Sequence, residues 1–161
     1  MTTATTLAYR GAETKQSVLD RLAEHALADE IIQGTYWSGG KGCAVGCLTE
    51  HPDGGHYQFP ARWGIPENIA WLIDAIFEAL PVAEAKAWPV RIMTAIPEGT
   101  DLTGVWDRWS LWMLTGLIDR APAGTEMGSV VTVRGLFARA VAGDEPDPQE
   151  WTAARSARAT S

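Results

Sequence analysis

Apolar positions recur at three- and four-residue steps along most of the chain, the spacing of amphipathic helices. Val18, Leu19, Leu22, Ala23, Ala26, Leu27 and Ile31, interleaved with Asp20, Arg21, Glu24 and Glu30, predict a helix from Glu13 that Gly34 stops. A short helix from Cys43 to about Glu50 is predicted next, ended by Pro52, which disfavours an α conformation at His51. The stretch His56 to Arg62 reads as a short helix or an irregular packing segment. Ile69, Leu72, Ile73, Ile76, Phe77 and Leu80 form one broad face of a helix that begins at Pro66 and closes at Pro81. Residues 82–96 read as one helix kinked at Pro89 or as two short ones.

Asp101 is the expected cap of the helix carrying Leu102, Val105, Trp106, Trp109, Trp112, Met113, Gly116 and Leu117, the heaviest apolar stripe in the chain. Trp106, Trp109 and Trp112 follow helical spacing and are expected in the core. Ser129 to Val141 is a further helix. Asp147-Pro148-Gln149-Glu150 has the capping-box arrangement and should start a last one over 148–158. Only Val130 to Val133 looks β-like. The expectation is an all-α, single-domain bundle of six to eight helices over 1–161, with residues 1–11 and 158–161 frayed.

Composition changes this picture little. The chain has 161 residues, enough for a core without staples, and 46% of them are apolar against 20% charged. The net charge of −7 weighs against direct nucleic-acid binding, which needs clustered Lys and Arg. The start, MTTATTLAYRG, has no apolar signal region, and the run Trp109 to Ile118 is too short to span a bilayer. The expected compartment is the cytoplasm, with no membrane partner.

Gly34 to His56 breaks the pattern. It holds both cysteines, two of the three histidines and seven of the sixteen glycines. Cys43, Cys47, His51 and His56 carry the ligand types of a structural zinc site. Their spacing fits poorly: His51 would lie about 12 Å from Cys43 on a straight helix. Cys43 behind Gly39-Gly40-Lys41-Gly42 also has the setting of an activated thiolate, with His51 or His56 as base. A phosphate loop fails on spacing and on Gly42, which replaces the magnesium-binding hydroxyl. The amides of Gly39 to Gly42 remain an anion-binding candidate. The plainest account is packing: Gly42, Cys43, Ala44, Gly46 and Cys47 make a thin helix face that another helix can approach. A Cys43–Cys47 disulfide does not suit same-helix geometry. His25 with Asp29, and Asp74 with Glu78, read as solvated helix faces.

The run GKGCAVGCLTEH, followed by GIPENIAWLIDAIFEALP, AWPVRIMTAIPEGTDLTGVW and EWTAARSARA, resembles a set of small bacteriophage and prophage proteins with a GKGCAVGCL motif and no known activity. The resemblance covers residues 15–155. It implies a mobile-element context, in which small acidic helical proteins bind a host or defence component. The functional expectation is a non-enzymatic binding protein, an inhibitor or accessory factor, that takes a protein partner or a small ligand through residues 34–56. Tyr36, Trp37, Lys41, Cys43 and His56 are the expected contacts. No cofactor is expected. The alternative is a cysteine-dependent enzyme or zinc protein using Cys43, Cys47, His51 and His56.

Overall fold

The computed structural model describes residues 7–156. They fall into two compact units, one ending at Thr103 and one beginning at Gly104. The chain is predominantly α-helical, with nine α-helical segments among the described residues, six of them eight residues or longer. None of these helices is long and apolar enough to cross a membrane.

The first unit contains α1 (Lys15–Leu27), a two-stranded ribbon of β1 (Trp37–Ser38) and β2 (Lys41–Gly42), and α2 (Ala44–Thr49). A 3-10 turn (His56–Gln58) leads into α3 (Phe59–Trp63), followed by α4 (Glu67–Ala79), α5 (Val82–Ala85) and α6 (Trp88–Ala95). Every residue of α2 is buried, and α1, α4 and α6 pack around it. The segment singled out by its composition is therefore the centre of this unit's core. Trp63, Phe59, Phe77, Leu22, Leu48 and Ile65 fill the space about it.

Thr14 caps α1 by accepting a hydrogen bond from the Ser17 amide. The helix stops earlier than its apolar periodicity predicts. Asp29 turns left-handed, and residues 30–32 leave the helix to pair with Gly42: its amide donates to Glu30 O, and the Ile32 amide donates to Gly42 O. The ribbon is the β structure that helix periodicity misses. Gly39 and Gly40 both have positive φ, as a two-residue hairpin turn of this twist requires, and Gly-Gly between two short runs is the sequence mark of such a turn. Residues 7–11 are not loose as expected: Ala8 and Tyr9 are buried, and the Tyr9 hydroxyl donates to Met93 O at 2.6 Å. The expected fraying at 1–6 and 158–161 falls outside the described residues.

The second unit is α7 (Val105–Asp119), α8 (Gly128–Val141) and α9 (Pro148–Ser156), with α8 packed against both of the others. Asp101 does not cap α7. Its carboxylate accepts from the Thr103 amide, and Gly104 occupies the cap position. Nor is α7 a deeply buried core helix: Ser110 is its one buried residue, Trp109 is half-buried and Trp112 is 72% exposed. The run Val130 to Val133 is helical within α8. At α9 the capping box is formed as expected. The Gln149 amide donates to Asp147 Oδ1, and the Asp147 amide donates to Glu150 Oε2.

Candidate functional site

The chain from Gln33 to Tyr36 is laid along α4. Gln33 Nε2 donates to the carbonyls of Phe77 and Leu80 at the C-terminal end of α4, where carbonyls run short of intrahelical donors. The Gly34 amide donates to both carboxylate oxygens of Glu78, at 3.1 and 3.0 Å. Tyr36 is held by its backbone. The Cys43 amide donates to Thr35 O and Tyr36 O, and the carbonyl of Tyr36 presses against Gly42 and Gly46. A Cβ on Gly46 would lie 1.5 Å from Tyr36 O, and one on Gly42 would lie 2.1 Å from it. The thin face of α2 thus accommodates this loop rather than another helix.

With Tyr36 fixed, its ring stands edge-on to His56, the centroids 5.6 Å apart. The His56 ring stacks on Trp71 at 3.5 Å, nearly parallel. Its Nε2 lies 3.3 Å from Asp74 Oδ2. Trp71, Asp74 and Glu78 share one face of α4 by helical spacing. A recess of about 230 Å³ opens between the loop and this face, lined by Gly34, Thr35, Tyr36, Asp74 and Glu78.

Asp74 is the unusual member. Its side chain is 8% exposed, and no N–H or O–H donor of the described residues reaches Oδ1; the group beside this carboxylate is the Cys43 thiol. Buried polar atoms nearly always have partners, so an unpaired carboxylate oxygen on a cavity wall marks a place that something else completes. Cys43 Sγ and carboxylate oxygens of Asp74 and Glu78 all lie within 4.8 Å of one another. Cys43 is fully buried at the cap of α2, where its sulfur accepts from the Gly46 amide at 3.3 Å. Burial first, and then a hydrogen bond from the thiol to the Asp74 carboxylate, hold its pKa well above the ordinary range. This is the reverse of an activated nucleophile. Burial also raises the Tyr36 phenol, with smaller contributions from Asp74, Cys43 and Glu78.

The structure divides the residues expected from sequence. Tyr36, Cys43 and His56 meet around Asp74. Trp37 turns the other way, edge-on to His25, and Lys41 is exposed on the ribbon. The four residues Cys43, Cys47, His51 and His56 do not converge on one point. Cys47 Sγ donates to Gly42 O, and burial pushes its thiol up to about 12. His51 pairs with Asp53 on the surface. Among the described residues the ligand-type atoms that do converge belong to Cys43, Asp74 and Glu78. Of the amides of Gly39 to Gly42 proposed for an anion, that of Gly42 is engaged, donating to Glu30 O.

Asp74 and Glu78 are the residues that sequence reasoning passed over as a solvated pair. The signal was there: Asp74 falls inside the apolar stripe of Ile69, Ala70, Ile73 and Phe77, where a charge needs a reason. His25 is likewise not on a solvated face. It is buried, with Nδ1 2.6 Å from Glu30 Oε2. Asp29 is exposed and pairs with Lys86.

The fold and the recess define a class of protein: a helical scaffold that holds a buried carboxylate at the wall of a small acidic cavity. No protein-family model, curated protein or solved structure matches the chain.

Proposed function

We propose that this is a binding protein that takes a small, positively charged ligand in the recess between residues 34–36 and α4. One observation carries the reading: Asp74 brings a buried, unpaired carboxylate oxygen to the recess wall. Glu78 adds a second acidic group beside it, and Tyr36 supplies an aromatic edge. A cationic group entering here gains a charge-assisted hydrogen bond to a buried carboxylate, strengthened by the low-dielectric surroundings of Asp74. The buried, high-pKa thiol of Cys43 argues against a cysteine-dependent reaction.

The test is the melting temperature of the protein against organic ammonium and guanidinium compounds and divalent ions. A ligand at about a hundred times its Kd stabilises by about 2.7 kcal/mol, a rise of several degrees. The rise should vanish in Asp74→Asn. A panel without effect, or a rise that persists in that variant, removes the reading.

A protein partner is a second reading, favoured by Trp112, a large aromatic left 72% exposed on α7. Capture of a partner from cells of the source organism by the native chain, and its loss with Trp112→Ala, is the corresponding test.

A further inference from the structure

We propose that Cys43 Sγ and the carboxylates of Asp74 and Glu78 form a site for a divalent metal ion of the zinc class, with its fourth position open to the recess. The inference rests on the reading of the recess as a cation site and names the cation. Three features lead to it.

The first is the donor set. A thiol sulfur and two carboxylates lie within 4.8 Å of one another on two elements, Cys43 at the start of α2 and Asp74 and Glu78 on one face of α4. Donor atoms around a tetrahedral zinc stand about 3.4–3.6 Å apart, given its bond lengths to sulfur and oxygen. Closing from 4.8 Å to that separation asks for about 1 Å of side-chain adjustment, and Glu78, which is exposed and accepts from the Gly34 amide, has the freedom for it. Sulfur favours zinc over magnesium or calcium, which select all-oxygen sites.

The second feature is independent of the cluster's composition. Asp74 is more than nine-tenths buried, with Oδ1 unpaired and the residue on the recess wall. Its other oxygen is already occupied. His56, fixed between Trp71 and Tyr36, places Nε2 3.3 Å from Oδ2. With the proton on Nε2, His56 donates there and leaves Oδ1 as the free donor. Outer hydrogen bonds of this kind orient metal-binding carboxylates.

The third is the shape. Three protein donors leave one coordination position, and the recess of about 230 Å³ lies on the side of Asp74 and Glu78. A water or a small ligand would fill it, as in sites that keep an open position. The Cys43 proton leaves to solvent as the ion enters, and the ion offsets the mutual repulsion of the three anionic groups.

The experiment uses the full chain, dialysed against a chelator and titrated with cobalt(II), whose near-ultraviolet charge-transfer band reports a bond to thiolate. We expect the band to saturate at one equivalent and to disappear when zinc is added. Cys43→Ser should abolish it while Cys47→Ser keeps it. Serine is itself a good cap, so Cys43→Ser retains the start of α2. Asp74→Asn should weaken cobalt binding at least 10-fold. A native protein with no band in excess cobalt overturns the proposal, and so does a band unchanged in Cys43→Ser. If the band is missing but an organic cation still stabilises the protein in an Asp74-dependent way, the metal assignment falls and the recess reading stands. If neither is seen, both fall.

Discussion

Cys43 and Gly46 illustrate how single residues here serve packing and the site together. Both thiols are fully buried and held above their ordinary range, mainly by burial. A disulfide reagent at mildly alkaline pH should therefore label neither cysteine in the native chain and both in denaturant. Rapid native labelling of Cys43 would restore the nucleophile reading. At Gly46 the constraint is contact, because the Tyr36 carbonyl occupies the space a side chain would need. Gly46→Ala should cost about 3 kcal/mol or more, the upper range for overpacking, read as a lowered denaturant midpoint. It should also disturb the recess, since the carbonyl it displaces fixes Tyr36.

Among the elements, α4 carries the most chemistry. It gives Ile69, Ala70, Ile73 and Phe77 to the core and Trp71, Asp74 and Glu78 to the site. Asp74 lies where the two faces meet, which is how a charged side chain comes to be buried. The last helix shows the opposite, a boundary set first by its neighbours in sequence. Its box of Asp147 and Glu150 is reinforced by Arg139, which donates to Glu150 Oε1 and Asp144 Oδ2. Asp147→Ala should cost about 1 kcal/mol and increase amide exchange in the first turn of α9, leaving exchange in α7 unchanged. Equal exchange in the variant and the native chain would show that the cap contributes nothing.

For the molecule as a whole, Glu13 is a part-buried contributor to the acid sensitivity of the first unit. This residue precedes α1 and accepts from Arg62 Nε at 2.6 Å, Arg21 Nη2 at 3.0 Å and Trp63 Nε1 at 3.3 Å. It thereby ties α1 to α3. Burial acts to raise its pKa, but the hydrogen bonds and charges of Arg62 and Arg21 outweigh it and hold the carboxyl below its usual range. A lowered folded-state pKa contributes stability that is complete above the unfolded value of about 4.3 and is lost as pH falls through the folded one. Glu13→Gln should lower stability by about 1–2 kcal/mol at neutral pH, since charge-assisted bonds are lost from a partly exposed site. The same variant should lose less than the native chain between about pH 4.5 and 2, measured by urea midpoints. Parallel acid profiles would remove Glu13 from this role.

What the sequence determined by itself is local: α4 closed before Pro81, a break close to Pro89, which sits in the first turn of α6, α8 ending at Val141 and the capping box of α9. These follow from residues within a turn or two of one another, where spacing and caps are enough. The Gly-Gly hairpin also has a local cause, positive φ at two successive residues, although helix periodicity passes over it as a loop. Tertiary structure decided the rest. The first helix ends at Leu27 because Glu30 and Ile32 pair with Gly42, and such pairing outweighs a continued apolar period. The stretch 34–56 was marked by its glycines and thiols, yet its partner, Asp74, came from a helix that looked ordinary. No spacing rule links Cys43 and His56 to Asp74. Their meeting depends on α2 packing beside α4 and on Gly42 and Gly46 admitting the Tyr36 backbone, a matter of shape between distant parts of the chain.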